Sequence, residues 1–281
     1  MTEAAAELLA IAVAAAREAG ELLASREGRV LVAATKSSPT DVVTEMDRQA
    51  EDLIRERILT ARPGDAILGE EGGQVGDTAA VGGVRWVIDP LDGTTNYLYG
   101  LHDWAVSIAA EAEWVDGGEI SRGILAGAVL VPVRGELFTA VRGGGAWLES
   151  APGTAVPLRC RPGVPLEVAL VGTGFGYLAA RREEQGQVVA ALLPRVRDIR
   201  RGGSASVDLC SVAAGRLDGY YERGLNYWDY AAGALIAAEA GAVIGDSRGG
   251  PPSTSMTVAA GPRLFGPLTL ALSGLDAERD G

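Results

Sequence analysis

Histidine and lysine are almost missing from this chain: each occurs once, as His102 and Lys36. With two cysteines besides, Cys160 and Cys210, there is no material for a zinc centre of several His or Cys ligands. A Ser-His-Asp triad would have to take its base from His102. A P-loop needs Gly-Lys-Ser/Thr, but Lys36 follows Thr35, so that motif is missing too. Positive charge is scarce overall: 25 lysines and arginines face 37 acids, for a net charge of −12. That argues against nucleic acid as a partner, because binding its backbone needs basic patches. Segment 3–27 is alanine-rich but carries Glu7, Arg17, Glu18 and Glu21, and lacks a basic leader and a long uncharged core. It reads as an amphipathic first helix rather than a signal peptide or membrane anchor. The two cysteines read as free, mostly buried thiols, so a reducing, cytoplasmic location is expected.

What is present is globular. The 281 residues are 47% hydrophobic and 22% charged, which suits one large or two modest domains. After the first helix, a loop signal spans Lys36-Ser37-Ser38-Pro39-Thr40-Asp41, and apolar spacing predicts a helix over 44–60. A short strand at 66–68 runs into Gly69-Glu70-Glu71-Gly72, and 72–83 reads as a small-residue loop. Strand-like runs at 84–88, 104–113, 123–133, 136–141 and 146–148 predict an antiparallel meander. Beyond Ser150-Ala151-Pro152-Gly153 the pattern changes to strands at 168–172, 196–200 and 217–221 alternating with helices at 181–193, 204–214 and 229–240. This divides the chain into an α+β half, 1–150, and an α/β half, 151–281. Gly172-Thr173-Gly174-Phe175-Gly176 imitates a dinucleotide loop but lacks the remaining glycine, and reads as a turn.

The chemistry concentrates at 86–100, WVIDPLDGTTNYLYG. A buried strand ends in Asp89-Pro90-Leu91-Asp92, which reads as a four-residue turn with proline at its second position. Such a turn would put both carboxylates on one side. Two acids that close repel unless they are protonated or share a cation, and an all-oxygen cluster suits Mg²⁺. Gly93-Thr94-Thr95 then opens a helix, whose free amides suit a phosphate. The ordinary alternative is that both aspartates merely cap local structure. A calcium EF-hand starting at Asp89 would need glutamate at position 100, which is glycine. The haloacid-dehalogenase phosphatases carry their two acids one residue closer together and use a downstream lysine, which this chain lacks.

Asp89-Pro90-Leu91-Asp92-Gly93-Thr94-Thr95 resembles the signature of the inositol monophosphatase family, and Trp228-Asp229-Tyr230-Ala231-Ala232 resembles its second signature. Gly69-Glu70-Glu71, the Lys36 loop, Asp47, Gly203-Ser204-Ala205 and Tyr221-Glu222 follow the family order from about residue 30 to 245. The resemblance implies a layered α-β-α-β-α sandwich, usually dimeric, and a lithium-sensitive phosphatase holding two Mg²⁺ ions, with room for a weaker third near Glu70. Glu70, Asp89 and the Leu91 carbonyl would hold one ion; Asp89, Asp92 and Asp229 would hold the second. Gly93, Thr94 and Thr95 would face the phosphate. Glu70 and Thr94 would position the attacking water, with Asp47 bonded to Thr94 and Lys36 in a loop that closes near the metals. Gly203, Ser204, Ala205 and Glu222 would face the alcohol. The expected substrate is a small phosphorylated polyol or amino alcohol. Myo-inositol 1-phosphate leads; histidinol phosphate and fructose 1,6-bisphosphate are alternatives. 3′-Phosphoadenosine 5′-phosphate is disfavoured, although Arg200 and Arg201 could serve a second phosphate. A binding role with the transcription machinery is the non-enzymatic alternative.

Overall fold

The computed structural model of the protein describes residues 2–25, 32–35, 42–76, 83–116 and 119–278. The alanine-rich segment is α1 (Thr2–Ala24), and Ala12, Ala15, Ala16 and Ala19 are buried where small side chains let the helix lie close to its neighbours. A two-stranded antiparallel ribbon, β1 (Val32–Thr35) and β2 (Val42–Thr44), leads into α2 (Glu45–Ala61), with Thr44 as N-cap. Then come β3 (Ala66–Gly69), β4 (Gly73–Val75), β5 (Val84–Asp92) and the short α3 (Thr94–Leu98). Strands β6 (Ala105–Asp116), β7 (Glu119–Val131), β8 (Glu136–Val141), β9 (Gly145–Glu149) and β10 (Ala155–Pro157) complete the meander. The remainder runs β11 (Leu170–Thr173), α4 (Ala179–Leu192), β12 (Asp198–Arg200), α5 (Ala205–Ala213), β13 (Gly219–Glu222), α6 (Tyr227–Glu239), β14 (Val243–Gly245), β15 (Thr257–Ala260) and α7 (Pro262–Ser273).

The first sheet has eight strands in the order β10-β9-β8-β7-β6-β5-β3-β4; β3 and β5 are parallel and every other pair is antiparallel. Its strands read as near-continuous apolar runs because both faces are covered. Trp86, Ile88, Val106, Ile108, Ala126 and Ala128 enter a core with α1 and α2. Their alternating neighbours Val87, Ala105, Ala109, Val129 and Val131 enter a second core with α5 and α6. Helix α5 is buried on every side, as a helix between two sheets must be. The second sheet, β12-β11-β13-β15-β14, covers the outer side of that helix pair, and a third core joins it to α7. The layers are therefore α1/α2, first sheet, α5/α6, second sheet and α4/α7, the α-β-α-β-α sandwich that the motifs imply.

Several elements differ from the sequence reading. The small-residue loop contains β4, an edge strand recruited by β3. β10, β14, β15 and α7 are absent from the sequence reading: the three strands are only three or four residues long, and α7, although amphipathic, carries the breaker pair Gly266-Pro267 in its middle. Gly172 and Thr173 lie in β11 rather than in a turn. Both cysteines are free, Cys210 buried and Cys160 half-buried. No helix among the described residues is long and apolar enough to cross a membrane.

Candidate active site

One cleft of about 410 Å³ collects most of the residues singled out in the sequence. Glu70, Asp89, Leu91, Asp92, Gly93, Thr94, Gly203, Ala205, Glu222 and Asp229 all line it. Ser204 and Thr95 are not among its lining: Ser204 turns its hydroxyl to Asp92, and Thr95 lies within α3. Asp47 stands behind the wall and reaches the site through Thr94, whose Oγ1 donates to Asp47 Oδ1 at 3.1 Å. Lys36 lies outside the described residues. His102 is exposed and away from the cleft, and Trp104 is a core residue packed edge-on to Tyr97.

The aspartate pair is not in a turn. β5 continues through Asp89-Pro90-Leu91-Asp92, and its register against β6 slips there: Asp89 faces Ser107 and Asp92 faces Ala105. Three steps on one strand thus oppose two on the other, which is a β-bulge. The bulge accommodates Pro90, which a regular central strand would not. It also gives the strand end a different aim, so that both acids reach the cleft. Leu91 N–H donates to Asp89 Oδ1 at 3.0 Å, tying the bulge together. Gly93 follows at φ 94°, and a Cβ there would come within 2.9 Å of the Asp103 carbonyl, so only glycine turns this corner into α3.

Other elements fix the remaining groups. Glu70 sits in the turn after β3, which is held by the buried Glu51 of α2. Its carboxylate accepts from Glu71 N at 2.8 Å, Gly72 N at 2.7 Å and Arg55 Nε at 2.9 Å. Asp92 Oδ2 accepts from Ser206 N at 2.7 Å and from the Ser204 and Ser206 hydroxyls at 2.6 Å each. Asp229 occupies the first turn of α6 and accepts from Asn226 N at 2.6 Å, so the ordinary capping role and a place in the cleft coexist. Glu222 ends β13 and accepts from Tyr220 OH at 2.5 Å. A Cβ on Gly174 would overlap its carboxylate, which accounts for a glycine in the 172–176 segment. Glu51, Ser206, Tyr220, Gly174 and Phe175 were not legible as site residues. Each acts on a neighbour that is distant in sequence, a relation that spacing along the chain does not encode.

Burial is the first cause of every shift in acidity here. Asp89 and Asp229 are pushed well above the usual carboxylate range, first by burial and then by the charge of Glu70 and their other acidic neighbours. Asp92 is also raised, although the Ser204 and Ser206 hydrogen bonds oppose the rise. Asp47 is raised by burial against the hydrogen bonds from Thr44 and Thr94. Glu222 is pushed up to about 7 by burial, with Tyr220 and Arg201 working the other way. Glu70 and the three raised aspartates Asp89, Asp92 and Asp229 share one cleft and form a hard-oxygen donor set, which fits a divalent cation. Among the described residues, no three Asp, Glu, His or Cys side chains converge closely enough to hold an ion as they stand. The protein's own donors account for part of this: Asp92 is turned to the serines, Asp229 to Asn226 and Asp89 to the Leu91 amide.

A bulge-built acid pair at a strand end, beside a glycine-opened helix and between two sheets, forms a cleft rich in oxygen donors. Comparison with known proteins agrees. The model of the inositol monophosphatase family matches residues 4–273. Over 241 residues the chain is 48% identical to a Mycobacterium leprae protein named inositol-1-monophosphatase, covering 84% of this chain and 80% of that one. A Vibrio cholerae relative named Nus factor SuhB is 40% identical over 245 residues, 86% of each chain. The solved structure of Mycobacterium tuberculosis SuhB superposes with a TM-score of 0.77 at 42% identity, covering 98% of each. The chain belongs to the inositol monophosphatase family, a family of phosphatases that is generally metal-dependent.

Proposed function

We propose that the protein hydrolyses a small phosphate monoester with Mg²⁺, myo-inositol 1-phosphate first among the candidates. The observation that carries this is the meeting of Glu70, Asp89, Asp92 and Asp229 in one cleft beside the Gly93-Thr94 corner. Glu70, Asp89, the Leu91 carbonyl, Asp92 and Asp229 are the oxygen donors for two ions, with a weaker third near Glu70. Bound magnesium supplies charge for the departing alkoxide and lowers the pKa of water. The residues do the rest. Asp47 takes the Thr94 hydroxyl proton as a hydrogen bond, which leaves Thr94 Oγ1 with lone pairs facing the cleft. Glu70 and Thr94 position the water that attacks phosphorus in line by accepting hydrogen bonds from it; Glu70 takes the one proton released on attack, and the departing alkoxide takes a proton from solvent water. The amides of Gly93, Thr94 and Thr95 meet the non-bridging phosphate oxygens. Gly203, Ser204, Ala205 and Glu222 serve the alcohol side, where a carboxylate pairs well with vicinal hydroxyls.

In this reading residues 1–150 supply Glu70 and the aspartate pair, while residues 151–281 supply Asp229 and the alcohol-facing wall. The active form is a cytoplasmic homodimer inhibited by Li⁺. Phosphate release from inositol 1-phosphate, histidinol phosphate, fructose 1,6-bisphosphate and 3′-phosphoadenosine 5′-phosphate, with Mg²⁺ and with EDTA, tests the proposal. Strongest Mg²⁺-dependent turnover on inositol 1-phosphate is expected. Preference for another ester moves the substrate, and no turnover on any sinks the enzymatic reading. A second reading is a binding role of the kind the name Nus factor carries for the Vibrio cholerae relative. The four intact acids favour the enzyme.

A further inference from the structure

The turn that carries Glu70 lies at the border of the first sheet. It runs into β4, the edge strand, which is exposed along its length and offers the turn little packing. The hold comes from α2 instead. Glu51, 2% exposed, places its carboxylate between Gly69 and Gly72, and a Cβ on either glycine would come within 2.7 Å of Glu51 Oε1. Its two oxygens accept from Glu71 N and Gly72 N. Arg55, one helical turn on, donates to Glu51 Oε1 at 2.9 Å and to the Gly73 carbonyl at 2.8 Å. Burying a carboxylate is costly unless it is paired and hydrogen-bonded. Here the bonds that offset the cost go to this turn and to the arginine that shares it.

The same face of α2 reaches the hydroxyl of Thr94. Asp47, 1% exposed, lies four residues before Glu51 and Arg55 four residues after it, so the three stand in line along the helix at about 6 Å a step. Asp47 Oδ1 accepts from Thr94 Oγ1 at 3.1 Å. Its other oxygen is fixed by the capping box with Thr44, whose N–H donates to Asp47 Oδ2 at 2.8 Å. Ala50, Ile54 and Ile58 are fully buried in the core with the first sheet, which keeps α2 from sliding. One helix face thus grips Thr94 at one point and the turn after β3 at the next.

We infer that Glu51 is a positioning residue for hydrolysis: with Asp47 it makes α2 the frame that sets where Glu70 stands relative to Thr94. This rests on the reading of the cleft as a phosphomonoester site. Glu51 is not among the residues that line the cleft. It fixes the backbone from which the Glu70 side chain leaves, and so places one oxygen of the donor set and one acceptor for the attacking water together. Gly69 and Gly72 flank the acid pair Glu70-Glu71 because the Glu51 carboxylate occupies the space their side chains would need.

Glu51→Gln keeps the shape and turns one acceptor into a donor that faces a backbone N–H. Calorimetry without substrate should show Mg²⁺ binding weakened about tenfold, the scale of one charge-assisted hydrogen bond. At saturating Mg²⁺, kcat on the preferred ester should fall about tenfold or more while KM stays within about twofold. Asp47→Asn, made alone and together with Glu51→Gln, tests the shared frame. Because both residues act on one separation, the double variant should lose less kcat than the product of the two single losses. A double variant that loses the full product overturns the inference. So does an unchanged Mg²⁺ affinity or an unchanged kcat in Glu51→Gln, even where the melting temperature falls, since the contact would then only hold the fold. If Glu51→Gln does not fold, Arg55→Met, which releases Glu51 and the Gly73 carbonyl from outside, should shift the same quantities in the same direction, and no shift overturns the inference. If wild type turns over no ester, the proposed function fails, and the Mg²⁺ affinities of wild type and variant still decide the positioning role. A wild type that neither binds Mg²⁺ nor turns over any ester overturns both.

Discussion

At the scale of single residues, Asp92 and Glu222 illustrate opposite uses of a buried carboxylate. Asp92 keeps one oxygen in three hydrogen bonds from Ser204 and Ser206, which fix the carboxylate at the cleft wall. Asp92→Asn retains an acceptor for those donors and removes the charge. Turnover should fall more than about 100-fold with the circular dichroism spectrum unchanged. A fall within tenfold, about 1.4 kcal/mol of barrier, would remove Asp92 from the metal set. Glu222 is pushed from 4.5 up to about 7 by burial. Because its folded pKa lies above its unfolded one, the folded protein holds a proton that the unfolded chain has released between these values. Stability is therefore lost as pH rises from 4.5 to about 7. Glu222→Gln should cancel that loss. In EDTA, urea titrations at pH 5 and pH 8 should show the variant gaining about 1–3 kcal/mol on wild type at the higher pH, part of the shift being discounted for the half-buried position. Equal gains at both pH values would contradict it.

At the scale of elements, the bulge in β5 and the start of α6 determine where the acids point. Tyr227, the first residue of α6, donates to Glu111 Oε1 at 2.9 Å across the layer, and Arg85 and Arg122 hold Glu111 Oε2 at 2.6 and 3.1 Å. Three strands thus fasten the helix turn that carries Asp229. Tyr227→Phe removes one hydrogen bond to a buried carboxylate, about 1–2 kcal/mol. It should lower the melting temperature by a few degrees and raise the Mg²⁺ concentration for half-maximal activity severalfold, as measured by MgCl₂ titration. An unchanged Mg²⁺ requirement would show that the anchor does not reach Asp229. This is also where reading the sequence reaches its limit. Long amphipathic helices and doubly covered strands announce themselves through period and length, and α1, α2 and β5 to β8 were placed to within a few residues. The acid motif was legible because proline, glycine and two aspartates occur together in seven residues. The bulge was not, because it exists only relative to β6. Glu111 and Glu51 carry no signal along the chain, because their partners reach them only in the fold.

At the scale of the whole molecule, the cleft lies where the two sheets and the helix layer between them come together. Asp89, Asp92, Asp229, Asp47 and Asp208 are all raised, with burial the leading cause. The sign is the same as for Glu222: without metal, stability should decline as pH rises through their folded pKa values. Melting curves from pH 5 to pH 8 in EDTA should therefore slope downward, and saturating Mg²⁺ should raise the melting temperature most at the alkaline end. A metal effect independent of pH would mean that the ions bind elsewhere. The two helices between the sheets set the gap across which the acids must cooperate. Their fit is tight: a Cβ on Gly127 of β7 would come within 3.2 Å of Ala232 in α6, and one on Gly233 within 2.9 Å of Leu209 in α5. The helix pair is thus a calibrated spacer, and catalytic tolerance is written into residues that never touch substrate. A single methyl group added at either glycine would leave every residue of the cleft chemically unchanged and still move α6, and Asp229 with it, relative to the acids of β5.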